Sequence, residues 1–207
     1  MPAFFDWRVY FPAVGALLAA APAIAAELRA ADAAAGWTAW PETALYVPAD
    51  GQEWTVIPFC YTYPSDDAAR TEWVASSSAA LPATAAALRA VPGLRTALLS
   101  RLGPRTTLAP HQGWAELANH VLRVHVPIAL PLAGCSGVTA GGETRAHVAG
   151  EALVFDDSRV HSAFNSHHAE ARTVLICDLP RPAAAPRGVA TGGATREFES
   201  FMAYFRN

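Results

Sequence analysis

The sequence predicts a mainly β fold with flanking helices, its strands closed into a sandwich or barrel. Three observations carry this. From residue 104 onward the chain breaks into short alternating runs bounded by Gly, Pro and Asp, recurring about every ten residues, the pattern of antiparallel strands joined by turns. Before that point two alanine-rich, helix-prone stretches, 13–35 and 79–101, supply helices able to cover a sheet. Finally, 52% of the 207 residues are hydrophobic and 16% charged, with 14 glycines and 16 prolines, which suits a packed core with many turns and argues against disorder. A chain of this length fits one domain. Its expected parts are a mostly helical flanking layer over 1–101, a β core over 102–182, a connector over 183–194 and a closing helix over 195–207.

In chain order, "AVGALLAAAPAIAA" (13–26) has the apolar run and small-residue ending of a secretory signal. However, Asp6 and a single Arg8 precede it, Pro22 interrupts it, and Glu27 and Arg29 follow in helical register. It reads as a helix packed on the domain, too short and too interrupted to span a membrane. "EWTVIPFCYTYP" (53–64) is β-branched and aromatic, a strand among helices. The second alanine-rich stretch breaks at "AVPGL" (90–94). Strands follow as "RTTLAP", "HVLRVHVPIALPL", "GVTA", "TRAHVAG", "EALVF" and "ARTVLICDLP". At the end, "TREFESFMAYF" places Phe198, Phe201, Met202 and Phe205 at i, i+3, i+4 and i+7, the apolar stripe of a short amphipathic helix.

Charge and cysteine usage narrow the function. The net charge is −3 and the 15 basic residues are scattered, so the chain offers no footprint to a phosphate backbone, and nucleic acid is excluded as a partner. Cys60, Cys135 and Cys177 are odd in number, far apart and without a Cys-x-x-Cys pair. They read as small hydrophobes of a reducing compartment, and the expectation is a cytoplasmic protein with no membrane partner.

The candidate site begins in "PHQGWAELANHVLRVHVPI" (110–128), which carries His111, His120 and His125. A histidine inside an apolar sheet is costly unless its ring nitrogens have partners. Strand alternation puts Leu122, Val124, Val126 and Ile128 on one face and Arg123 with His125 on the other. In "ARTVLICD", Arg172 shares a face with Val174 and Ile176, so an arginine leads a core strand and needs an anion. His161 follows the tight "DDS" turn and is rigidly aimed. His147, His167 and His168 sit in polar loops or turns and are expected to be solvated. Trp114 either walls a substrate pocket or packs the barrel. Together, His111, His161, Arg123, His125 and Arg172 supply metal ligands and anion binders in one small β domain.

These residues also carry a likeness. The order Ser100, Pro110-His111-x-Gly113, Leu122-Arg123-x-His125, Gly150-Glu151, Phe155-Asp156-Asp157-Ser158-x-x-His161, then Arg172, Asp178 and Arg181-Pro182 resembles the aspartyl/asparaginyl β-hydroxylase family. That family consists of iron(II)- and 2-oxoglutarate-dependent oxygenases. The likeness covers 54–182 and is specific from 100 to 182; the loop between His161 and Arg172 is one residue longer than the family's pattern. It implies a double-stranded β-helix, a cupin-like jelly-roll barrel flanked by helices. It further implies His111 and His161 as iron ligands, and Ser100, Arg123, His125 and Arg172 as 2-oxoglutarate contacts, with Arg172 on the distal carboxylate.

Non-haem iron oxygenases usually hold the metal with two histidines and a carboxylate. Two residues after His111, where that carboxylate would stand, is Gly113. The family resembled works with two histidines and a water or other ligand in the vacant place. The reaction it implies consumes O2 and 2-oxoglutarate, releases succinate and carbon dioxide, and hydroxylates a small molecule or peptide containing Asp or Asn. The vacant place also opens halogenation, with chloride bound there. A cupin-type metal isomerase or sugar-binding module is a rival, since "G-x5-D-x-S-x2-H-x3-N" from Gly150 to Asn165 has the spacing of the second cupin motif without its Pro and Gly. A metal-free binding protein holding a small dianion on Arg123 and Arg172 is another. Only the oxygenase consumes oxygen and 2-oxoglutarate with iron.

Overall fold

Two antiparallel sheets face each other across the interior, and helices cover the outer face of the larger one. The computed structural model describes residues 2–31, 36–47, 50–193 and 196–206. The first part of the chain holds β1 (Phe4–Phe5), α1 (Trp7–Tyr10), α2 (Val14–Ala31), β2 (Thr38–Ala39), β3 (Trp54–Thr62) and β4 (Thr71–Trp73). Next come α3 (Ala75–Ala80), α4 (Pro82–Arg89), β5 (Thr96–Leu102), β6 (Thr106–Thr107), α5 (Ala115–Ala118) and β7 (Val121–Ala129). The remainder is β8 (Ser136–Ala140), β9 (Glu143–Ala146), β10 (Leu153–Phe155), β11 (His161–Asn165), β12 (Arg172–Pro180) and α6 (Arg196–Arg206). The larger sheet runs β1-β10-β7-β12-β5-β3-β2, with β4 added to β3, and the smaller runs β6-β11-β8-β9. This is the double-sheet jelly roll expected from the resemblance.

The central strands β5, β7 and β12 are buried on both faces, which is why their sequences read as near-continuous apolar runs. On the outer face Leu99, Leu122, Val124, Val126, Leu175 and Cys177 pack with Leu17, Ile24 and Leu28 of α2 and Leu88 of α4. On the inner face Leu98, Leu102, Val174 and Ile176 meet Val138, Ala140 and Ala163 of the smaller sheet. Ser100, Arg123, His125, Arg172 and Asp178 alternate with these inner apolar residues, so the fold delivers these five polar side chains into the space between the sheets, whereas Arg101 and Thr173 face the helices.

The helices attach by named contacts. Helix α2 buries Val14, Leu17, Ile24, Ala25 and Leu28, and the Glu27 carboxylate accepts hydrogen bonds from Ala83 N, Thr84 N and Thr84 Oγ1. That carboxylate from α2 thus caps the start of α4, whose own Leu81 cannot. Contrary to the expectation from Pro22, α2 runs through the proline. Its 18 residues, with a mean hydropathy of 1.5, are long and apolar enough by length and composition to cross a membrane. Residues 32–35, the end of the expected helix, lie outside the described residues.

Two boundaries differ from the sequence expectation. The first 101 residues are not mostly a helical layer, because β3 and β5 sit side by side within the larger sheet, and the β core begins well before 102. The stretch 96–101, helix-prone in sequence, is a strand. Gly93, at φ 74, ends the preceding turn, and pairing with β3 on one side and β12 on the other outweighs the modest helix propensity of "TALLSR". In α6, Phe198, Phe201 and Met202 are buried as expected, and the side chain of Phe205 lies outside the described residues.

Candidate active site

His111 and His161 face each other across an isolated antiparallel bridge that continues the smaller sheet. Each backbone N–H donates to the other's carbonyl at 2.9 Å, so main chain sets the spacing of the two rings, whose centroids are 4.3 Å apart. The His111 Nδ1 lies 2.8 Å from the Ala109 carbonyl and the His161 Nδ1 2.8 Å from the Arg159 carbonyl. A carbonyl only accepts, so both Nδ1 atoms carry the proton and both Nε2 atoms carry a lone pair. Burial, reinforced at His111 by the charge of His161, pushes both rings down to about 4, and they are neutral at neutral pH. Two neutral imidazoles with locked rings and free Nε2 lone pairs are the donor set for a borderline divalent metal. Among the described residues no group of three or more His, Cys, Asp or Glu side chains meets ligand spacing, so the set stops at two histidines.

The place left by Gly113 is filled from another element. A Cβ at 113 would overlap the Asp157 carboxylate and crowd the Ala118 Cβ. Gly113 N donates to the Asp157 carbonyl at 2.9 Å, and Asp157 Oδ1 stands 3.3 Å from His161 Nε2. A carboxylate thus lies beside the histidine pair, supplied by the turn before β11 rather than by the residue two after His111. Asp156, its neighbour, instead holds the turn: its carboxylate accepts from Ser158 N and Oγ and takes both terminal nitrogens of Arg181.

Arg123 binds Asp178 with Nε (2.8 Å) and one terminal nitrogen (2.9 Å), and Asp157 with the other (2.6 Å). Burial opposes its charge, but Asp157 and Asp178 outweigh burial and hold the guanidinium above its ordinary value. Arg123 therefore reaches the site with its charge already balanced, offering N–H groups rather than net charge.

Arg172 is the opposite case. It is 1% exposed, its Nε has no hydrogen-bond partner, and NH1 makes only a 3.4 Å contact with the Ser100 carbonyl. Burial alone pushes it down to about 9, which leaves a charged, unneutralised guanidinium at neutral pH. Its chamber is also lined by Ser100, His111, Arg123, His125, His161 and Ile176. Ser100 Oγ accepts from Trp54 Nε1 at 3.1 Å, leaving its own O–H for a ligand. His125 presents Nδ1 to His147 Nε2 at 3.1 Å.

A second chamber meets the first at Trp54, His111, Arg123 and Ile176. One of its walls is aromatic: Trp54 stacks on Trp40 (4.4 Å between centroids), and Trp114 packs against Phe201 of α6, with Phe198 behind it. Thr96 Oγ1, buried and without a partner, and the carboxylates of Glu42, Asp157 and Asp178 supply the polar lining.

All six expected residues, Ser100, His111, Arg123, His125, His161 and Arg172, thus surround one chamber. His120 is exposed and His168 is exposed, whereas His167 is half-buried and accepts the Glu170 amide. His147, expected in solvent, is 3% exposed and bonded to His125. The signal for it was strand register: β9 pairs Ala146 with Gly137, which sets His147 beside Ser136. Asp157 and the Trp40–Trp54 wall were not assigned from sequence, since nothing local links them to His111. Two of the cysteines are buried and held as thiols: burial raises the Cys60 thiol to about 12 and the Cys177 thiol well above its usual range.

Known proteins resemble this chain in sequence and in fold. The model of a family described as "Aspartyl/Asparaginyl beta-hydroxylase" matches residues 19–182. An "Ornithine lipid ester-linked acyl 2-hydroxylase" of Rhizobium tropici is 34% identical over 108 residues, 52% of this chain and 37% of that protein. An "Aspartate beta-hydroxylase domain-containing protein 2" of Mus musculus is 37% identical over 95 residues, 44% of this chain and 26% of its own length. The chain therefore spans well under half of these relatives. In fold, an oxidoreductase of the 2OG-Fe(II) oxygenase family from Burkholderia pseudomallei superposes with a TM-score of 0.51 at 16% identity, covering 83% of this chain and 81% of that one.

Proposed function

Because the chain belongs to the aspartyl/asparaginyl β-hydroxylase family, we propose that it is an iron(II)- and 2-oxoglutarate-dependent hydroxylase, with the metal on His111 and His161 and the cosubstrate on Arg172, Ser100 and His125. The observation that carries this reading is the pairing of two unmet demands in one chamber. Two locked imidazole lone pairs await a cation, and a buried guanidinium awaits an anion. Iron with 2-oxoglutarate satisfies both, and when bound would let O2 act as the oxidant, one oxygen atom converting a C–H bond to C–OH and the other entering succinate as the cosubstrate loses carbon dioxide. The chain's own work is placement. Arg172 takes the distal carboxylate in a charge-assisted pair, Ser100 O–H adds a donor, and Trp54 with Ile176 gives the chamber an apolar side.

Asp157 favours hydroxylation over halogenation, because a carboxylate already projects into the room beside Gly113 where a halide would have to sit. For the substrate, the resemblance points to an Asp- or Asn-containing peptide or small molecule, and the names of the matched relatives point to aspartate and to a lipid acyl group. Among the described residues lining the aromatic chamber the only arginine is Arg123, and two aspartates balance it. We therefore read the reacting segment of the substrate as uncharged, an Asn amide or an acyl chain in preference to an Asp carboxylate.

The test is anaerobic loading with iron(II) and 2-oxoglutarate, admission of oxygen, and mass spectrometry of Asn peptides, Asp peptides and acylated amino acids for a gain of one oxygen. Succinate release that needs iron and disappears in His111→Ala and His161→Ala is expected. Iron-independent or absent succinate release would remove the reading.

A further inference from the structure

We infer that His147 is a positioning residue for the cosubstrate: it donates a hydrogen bond that fixes the His125 ring in the tautomer presenting Nε2–H to the chamber. This rests on the proposed use of that chamber for 2-oxoglutarate. His147 follows β9, its backbone N–H donates to the Ser136 carbonyl at 2.8 Å, and its ring crosses from the smaller sheet to the larger. There its Nε2 lies 3.1 Å from His125 Nδ1, while its Nδ1 lies 3.3 Å from Ser136 Oγ. The three side chains are buried, each 3% exposed. Burial first, then the nearby Arg172 and, at His125, the charge of His147 keep both histidines neutral, so each carries one ring proton.

A chain of two neutral imidazoles and a hydroxyl has two possible proton directions. In one, His125 Nδ1–H donates to His147 and His147 Nδ1–H donates to Ser136 Oγ. Ser136 O–H then needs a further acceptor, and the described residues provide none, leaving a buried donor unmet. In the other, Ser136 O–H donates to His147 Nδ1, His147 Nε2–H donates to His125 Nδ1, and the one donor left over is His125 Nε2–H. That atom belongs to a residue lining the chamber of Arg172 and Ser100, where an incoming dianion supplies the acceptor. The second direction meets every buried donor in the loaded protein and aims three donors, from Arg172, Ser100 and His125, at one anion.

The experiment uses the full chain with 15N-labelled histidine. Long-range 1H–15N spectra of the protein loaded with a diamagnetic divalent metal and 2-oxoglutarate should show His125 protonated on Nε2 alone; protonation on Nδ1 overturns the inference without any variant. His147→Phe keeps a ring but cannot donate, and should lose the single His125 tautomer and weaken 2-oxoglutarate binding about tenfold, with iron(II) binding unchanged. His147→Gln restores an N–H donor and should return the affinity to within about twofold of wild type. A fall in melting temperature with unchanged cosubstrate affinity in His147→Phe would make His147 merely structural and overturn the assignment. Should His147→Phe not fold, His147→Gln and the wild-type spectrum decide. If wild type with iron(II) binds no 2-oxoglutarate, the cosubstrate reading itself falls and this inference with it. That outcome is distinct from wild type binding and His147→Phe binding equally well.

Discussion

At the scale of single residues, Gly113 and Arg172 make opposite predictions about stability. Because a side chain at 113 overlaps Asp157, Gly113→Asp is expected to lose about 1–3 kcal/mol by overpacking and like-charge contact. Moving the carboxylate instead, in Gly113→Asp with Asp157→Gly, should recover most of that loss in urea melts and hold iron(II) more tightly, since the set then becomes two histidines and an aspartate. Recovery no better than in Gly113→Asp alone would show that Asp157 is not what occupies the place. Arg172 is a buried charge with no carboxylate opposite, so Arg172→Leu should stabilise the empty protein by about 1–4 kcal/mol while weakening 2-oxoglutarate binding by roughly 10- to 100-fold. A destabilised Arg172→Leu would mean the guanidinium has a structural partner. Arg172 was legible in sequence because an arginine heading an apolar strand buries its charge, and a buried charge calls for an anion. Asp157 was not, since its neighbour Asp156 is identical in type and only the fold decides which of the two turns inward.

At the scale of elements, the turn that aims His161 is held by Arg181. Besides its two-pronged pair with Asp156 at 2.6 and 3.0 Å, Arg181 donates to the carbonyls of Ala118, Asn119 and Pro186, so one side chain ties the turn to α5 and to the connector after β12. The arginine side chain is 8% exposed and its partner 2%, and removing one member of such a buried pair strands the other. Arg181→Ala is expected to lose about 3–5 kcal/mol, read from chemical melts, together with iron affinity as the turn loosens. Strands whose alternation is strong, such as β7 and β12, were legible with their faces. By contrast β5 was hidden, because "TALLSR" has helix-compatible residues and becomes a strand only through neighbours on both sides. The aromatic wall escaped for a related reason: Trp40, Trp54, Trp114 and Phe201 come from four separate segments.

For the whole molecule, the joining of two sheets through buried histidines gives a pH signature. His125 and His147 are held well below 6.5 in the folded state, chiefly by burial, whereas the unfolded chain takes up protons near 6.5. Below that value the unfolded state binds more protons, so stability is fully present above it and is lost as pH falls. The slope is about 1.4 kcal/mol per pH unit for each histidine that must stay neutral. Urea melts of the metal-free protein from pH 7.5 down to 5.5 should show this decline, and His147→Phe should show a slope shallower by one proton. A flat profile would place protons on these rings in the folded state. The paired backbone bonds between His111 and His161 have a consequence in solvent-exchange terms. Each amide is sealed by the other residue's carbonyl, so neither can trade its hydrogen for deuterium unless both strands part. Two amides far apart in the chain should therefore exchange at a single shared rate, and iron should slow both by the same factor.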